Sequence, residues 1–108
     1  MELKLVETKS KEIDEKFYKY EMYRIGDYKV EVNYCNGVRN NIEVEEDCKN
    51  RFAPIIYFER NRWSEDKTEK FKIQTAAYGA LGVDEIQKVI DGFQQAMEIV
   101  AILTEKFL

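Results

Sequence analysis

Between Tyr28 and Tyr34 the chain alternates strictly: Tyr28, Val30, Val32 and Tyr34 are apolar or aromatic, and Lys29, Glu31 and Asn33 between them are polar. A period of two marks an antiparallel strand with one face buried and the other in water. The preceding run, KFYKYEMYRI, ends at Gly26-Asp27, a pair suited to a two-residue turn, so the two runs predict a hairpin. Its first strand carries apolar side chains on both faces, with Tyr18, Tyr20 and Met22 on one and Phe17, Tyr23 and Ile25 on the other. Only one set can enter the core, and the pattern does not choose between them.

The next turn falls at Asn36-Gly37. A two-residue turn there sets Val30 opposite Glu43 and Val32 opposite Asn41, which mixes the faces. A three-residue loop, Cys35-Asn36-Gly37, pairs Tyr34 with Val38, Val30 with Ile42 and Tyr28 with Val44, and is the register expected because it keeps one face apolar. PIIYFER, after Pro54, and EKFKIQT read as two more strands, with the polar NRWSEDKTE as the connection, and ELKLVE adds an edge strand. The expectation is four to six strands in an antiparallel meander.

From Val83 the period changes to three and four: Ile86, Val89, Ile90, Phe93, Ala96, Met97, Val100, Leu103 and Phe107 predict a long helix. Either Gly82 caps it with Glu85 at the third position, or Asp84 does so with Gln87 in that role. Ile86, Val89, Ile90, Phe93, Met97 and Val100 form the stripe expected on the sheet, flanked by Gly92, Ala96, Ile99 and Leu103, with Ile102 pointing away. Glycine inside a helix costs about 1 kcal/mol relative to Ala, so Gly92 is expected where another element comes close. A helix of about 26 residues, roughly 39 Å, overhangs an eight-residue strand of about 27 Å. The overhanging segment, MEIVAIL, is then either covered by the N-terminal segment or a curled sheet edge, or meets a second protein through Ile99, Ile102, Leu103 and Phe107. The fold class is α+β, a single domain over 1–108: a β-rich part, 1–78, and a helix, 83–108, packed on one face of the sheet.

Composition narrows the chemistry. The net charge of −4 argues against a protein whose main task is holding a phosphate backbone. The chain contains no histidine, which removes Ser-His-Asp and Cys-His catalysis and His-ligated metals. No catalytic residue stands out. Cys35 and Cys48 cannot alone fill a four-coordinate zinc site and read as reduced thiols; no metal or cofactor is expected. With no apolar run long enough for a signal peptide or a membrane span, the expectation is a cytoplasmic protein that does not engage membranes.

Three further surfaces are candidates. Tyr18, Tyr20 and Met22 offer rigid side chains of the kind enriched at protein interfaces. Glu43, Glu45, Glu46 and Asp47 form an acidic run. Lys49, Arg51, Arg60 and Arg62, interleaved with aromatics including Trp63, are the type of segment that binds single-stranded nucleic acid. YGALG, with two glycines before a helix, has no nearby Lys and reads as a connection rather than an anion site.

The stretch TAAYGALGVDEIQKVIDGFQQAMEIVAIL resembles the strand-to-helix endings of small single-domain proteins encoded by phages and conjugative elements of Gram-positive bacteria. That resemblance implies a genetic context in which small acidic proteins, anti-CRISPR proteins among them, inhibit host defence nucleases; it assigns no residue a role. The function expected is a non-enzymatic protein-binding module, of self or of a host protein, acting as an inhibitor by occlusion. The alternative is a small nucleic-acid-binding domain using residues 49–63.

Overall fold

A computed structural model describes residues 1–47, 51–60, 68–75 and 78–108. It is an α+β fold with six strands in two antiparallel sheets and a C-terminal helix: β1 (Lys4–Ile13), β2 (Lys16–Ile25), β3 (Tyr28–Cys35), β4 (Val38–Glu46), β5 (Ile55–Arg60), β6 (Glu69–Gln74) and α1 (Val83–Phe107). The strands expected in one meander divide into a four-stranded sheet, β1-β2-β3-β4, and the hairpin β5-β6. The chain forms two compact units, Met1–Asp47 and Cys48–Leu108.

In the first unit each connection is a two-residue turn. Gly26 supplies the positive φ between β2 and β3, whereas β1 and β2 are joined by Asp14 and Glu15, both left-handed at φ 51° and 66°. The β3–β4 turn corrects the expected register. Asn36 and Gly37 both have positive φ, at 50° and 80°, the two-residue arrangement whose twist matches the strands it joins, and Cys35 pairs with Val38. Mixing of the faces is avoided by a bulge: Tyr34 pairs with Arg39 and Asn33 with Asn41, leaving Asn40 as the extra residue. Beyond it Val32 lies opposite Ile42 and Val30 opposite Val44. Asn36 is also tied to β2, its N–H donating to the Phe17 carbonyl at 2.8 Å and its side-chain oxygen accepting the Phe17 N–H at 2.9 Å.

The choice left open for β2 is settled: Tyr23 and Ile25 are buried together with Tyr28, Val30, Val32 and Ile42, so Tyr18, Tyr20 and Met22 lie on the opposite, more accessible face.

In the second unit β5 and β6 bring Ile56 opposite Ile73 and Phe58 opposite Phe71, the two rings 5.4 Å apart, and α1 packs against β6. The helix buries Gly92, Ala96, Ile99 and Leu103. This corrects the expected orientation, because Ile86, Ile90 and Met97 of the predicted core stripe are 45%, 44% and 57% exposed. The reason is close approach. A Cβ at Gly92 would stand 3.0 Å from the Phe52 carbonyl oxygen and 3.4 Å from Pro54 Cδ, so the small-residue side of the helix is the one that admits this segment.

Gly92→Val is therefore expected to destabilise the protein by about 1–3 kcal/mol through overpacking, lowering the thermal midpoint by several degrees. Gly92→Ala should stay near neutral, its helix-propensity gain offset by displacement of the Phe52 carbonyl. A Val variant as stable as the parent would refute the packing described.

Candidate functional site

The accessible face of the four-stranded sheet can be built row by row from its register. Across β1 to β4 the rows run Lys11-Tyr18-Cys35-Val38, Lys9-Tyr20-Asn33-Asn41, Glu7-Met22-Glu31-Glu43 and Lys4-Arg24-Lys29-Glu45. Two-residue alternation puts all of them opposite the buried Tyr23, Ile25, Val30 and Val32. The first two rows hold the two tyrosines beside two lysines; the third holds three carboxylates around Met22. Tyr18 is 38% exposed and Val38 69%, while Tyr20, Met22 and Cys35 are half-buried. The Tyr20 hydroxyl donates to Glu31 Oε1 at 3.2 Å, and burial followed by the Glu31 charge pushes its pKa up, which keeps the phenol neutral. A shallow cleft of about 130 Å³ is lined by Lys9, Lys11, Tyr18, Tyr20 and Asn33, among others. Small-molecule sites are typically about 300–1,000 Å³, so this cleft is of a size for a single side chain.

The acidic run does not act as one patch. Glu43 and Glu45 stand on the accessible face, whereas Glu46 pairs with Tyr28 on the other side of the strand. Asp47 is engaged by Arg24 and Lys29, and its hydrogen bond from Arg24 holds its carboxyl below the usual range. Among the described residues no group of three or more Cys, Asp or Glu is arranged to hold a metal. Cys35 carries a free thiol.

The basic segment is likewise dispersed. Arg51 pairs with Glu85 at 2.5 Å and Arg60 with Glu69 at 3.7 Å, so each is held by a carboxylate. Lys49, Arg62 and Trp63 lie outside the described residues. The helix start is also occupied. Gly82 is the N-cap, and its N–H donates to Glu85 Oε1 at 3.2 Å, filling with a side-chain carboxylate the place an anion would take. Of the helix residues proposed as an interface, Ile99 and Leu103 are 0% exposed and belong to the core; Ile102 and Phe107 are half-buried. No helix among the described residues is long and apolar enough to cross a membrane.

A group not singled out from the sequence sits on the buried face. Glu21, its side chain only 12% exposed, accepts a hydrogen bond from Tyr23 at 2.6 Å and another from Tyr34, and pairs with Lys19 at 3.4 Å. Lys19 lies 5.5 Å from the centre of the Tyr34 ring. Burial raises the Glu21 pKa, but the Tyr23 hydroxyl and then Lys19 lower it further, for a net depression. Tyr23 and Tyr34 are pushed above the usual tyrosine value, by burial first and then by Glu21. The lysine at position 19 and the carboxylate at position 21 share a strand face with Tyr23, a period-two signal masked by the apolar character of β2 as a whole.

No protein family matches the sequence, and no curated protein or solved structure matches it.

The Glu21 group carries a pH signature. A carboxyl depressed in the folded state adds stability that is present above its unfolded value near 4.5 and lost as pH falls through the folded pKa. The two raised tyrosines add stability that is present below pH 10 and lost as pH rises beyond it. Tyr23→Phe should cost about 1–3 kcal/mol near neutral pH and flatten the alkaline limb of stability against pH. Glu21→Gln should flatten the acid limb. Denaturant melts from pH 3 to 11 measure both, and unchanged limbs would show that the group is not coupled to folding.

Proposed function

We propose that the protein is a non-enzymatic protein-binding module whose contact surface is the Tyr18, Tyr20 and Met22 face of the four-stranded sheet. The observation that carries this reading is the row structure: two tyrosines and a methionine sit half-exposed on regular strands, ringed by Lys9 and Lys11 on one side and Glu7, Glu31 and Glu43 on the other. Aromatic anchors on a rigid scaffold, within a polar rim, make the arrangement in which a few residues dominate binding energy. The cleft beside Tyr18 and Tyr20 is of a size for one partner side chain.

In its biological form this reading is of a mobile-element protein acting in the cytoplasm, which covers the working surface of a host defence protein. Occlusion needs a stable face and no chemistry. The mixed charge rows favour a partner with its own mixed surface over a uniformly anionic nucleic acid. The nucleic-acid alternative gains no support from Arg51 and Arg60, each of which is held by a glutamate.

The test is quantitative affinity capture from bacterial lysate with the parent beside a Tyr18→Ala, Tyr20→Ala double variant, followed by binding to each purified candidate. A specific partner should be retained by the parent and bound at least about 30-fold more weakly by the variant, with circular dichroism unchanged. Equal retention by both proteins would remove this face from the function. Salt-sensitive retention of single-stranded DNA or RNA, lost in Arg51→Glu, would favour the alternative.

A further inference from the structure

The exposed apolar residues of α1 are not scattered. Val83, Ile86, Ile90 and Met97 are 84%, 45%, 44% and 57% exposed, and with the half-buried Phe93, Val100 and Phe107 they fall on one line. The spacing is 83, 86, 90, 93, 97, 100, 104 and 107: alternating steps of three and four sustained along the whole helix, with Thr104 the polar member. A repeat averaging 3.5 residues is the pattern of a helix–helix seam, with β-branched Val83 and Ile90 among its members. The centre of this line lies about 100° round the helix from the buried Gly92, Ala96, Ile99 and Leu103; Phe93, Val100 and Phe107 border that row and are half-buried, while Val83, Ile86, Ile90 and Met97 form the exposed side.

We propose that this seam pairs with the same helix of a second copy of the chain, antiparallel across a two-fold axis. The pattern is self-complementary in that orientation. Sliding the helix over its inverted image about a centre between Phe93 and Met97 sets Val83 against Phe107, Ile86 against Thr104, Ile90 against Val100 and Phe93 against Met97. All eight positions are thereby used, over about 36 Å. The solvent-side flank immediately beside the seam is Gln87, Gln94 and Ala101, all exposed and uncharged, and the carboxylates Asp84, Asp91, Glu98 and Glu105 stand one row further out. The orientation follows from electrostatics. A parallel pair would align the two helix dipoles and bring both acidic first turns, Asp84 and Glu85, together, whereas the antiparallel pair opposes the dipoles and puts Asp84 level with the other copy's Lys106, with Glu85 level with Glu105. The seam and the tyrosine face share no residue, so each can be substituted without altering the other.

Light scattering on a size-exclusion column across a dilution series should give twice the chain mass for the parent at tens of micromolar. It should give a monomer for Ile90→Glu, Met97→Glu, with a dissociation constant raised at least about 100-fold. Because that variant replaces apolar residues, a second measurement uses single cysteines in a Cys35→Ser, Cys48→Ser background. Gln94→Cys should react with a short bifunctional thiol crosslinker to give a covalent dimer. Gln87→Cys should not, its counterpart standing about 24 Å away along the axis. A parent that stays monomeric to hundreds of micromolar overturns the proposal, as does a dimer indifferent to both glutamates or crosslinking at position 87 as efficient as at position 94.

Discussion

A strand that must bury one face and show the other tolerates no odd slip, because a shift of one residue turns every side chain over. The β3–β4 pair is where this constraint is tightest. Its two-residue turn, with Asn36 and Gly37 both left-handed, would alone place Glu43 opposite Val30. The extra residue at Asn40 absorbs the mismatch, so that Val32 and Ile42, then Val30 and Val44, share the buried side. The same correction sets Glu31 opposite Glu43 and Asn33 opposite Asn41 on the accessible side. The buried core and the accessible face are two results of one backbone adjustment.

Charge is distributed by the same geometry. Residues adjacent in sequence part company on a strand, which is why Glu45 and Glu46 stand on opposite faces and the acidic run yields no single patch. Residues distant in sequence meet instead: Glu7, Glu31 and Glu43 come from three strands to make one row. On the other face Glu21 is tolerated because Tyr23, Tyr34 and Lys19 converge on its carboxylate. A carboxylate so enclosed would be costly without those partners.

Much of the architecture was legible, because alternation and helical spacing are read directly from the chain. The β2–β3 hairpin at Gly26-Asp27, the strands after Pro54 and around Phe71, and the helix from Val83 all follow from period and turn chemistry. The buried side of the helix was not legible. A helical wheel weighs hydrophobicity, and by that measure Ile86, Ile90 and Met97 outrank Gly92 and Ala96; packing also rewards close approach, which the wheel omits. Gly92 marked the true side through its cost, since a helix keeps glycine where the Phe52 carbonyl comes to 3.0 Å of a would-be Cβ. The division of the strands into two sheets was equally out of reach, because alternation describes a strand's faces and leaves its neighbours unspecified. The tyrosine face could be listed but not chosen, since both sides of β2 carry apolar groups.

The outer strands of the four-stranded sheet have one more consequence. β1 and β4 each leave one side of their backbone without a neighbouring strand in that sheet, and such edges invite strands of other molecules to add on and grow into fibres. Both are blunted. β1 is interrupted by the irregularity between Leu5 and Glu7 and carries Lys4, Lys9 and Lys11; β4 is interrupted at Asn40 and carries Glu43, Glu45 and Glu46. The bulge that sets the register thus also roughens the rim, and a chain with this many exposed aromatic and aliphatic side chains is steered away from open-ended stacking.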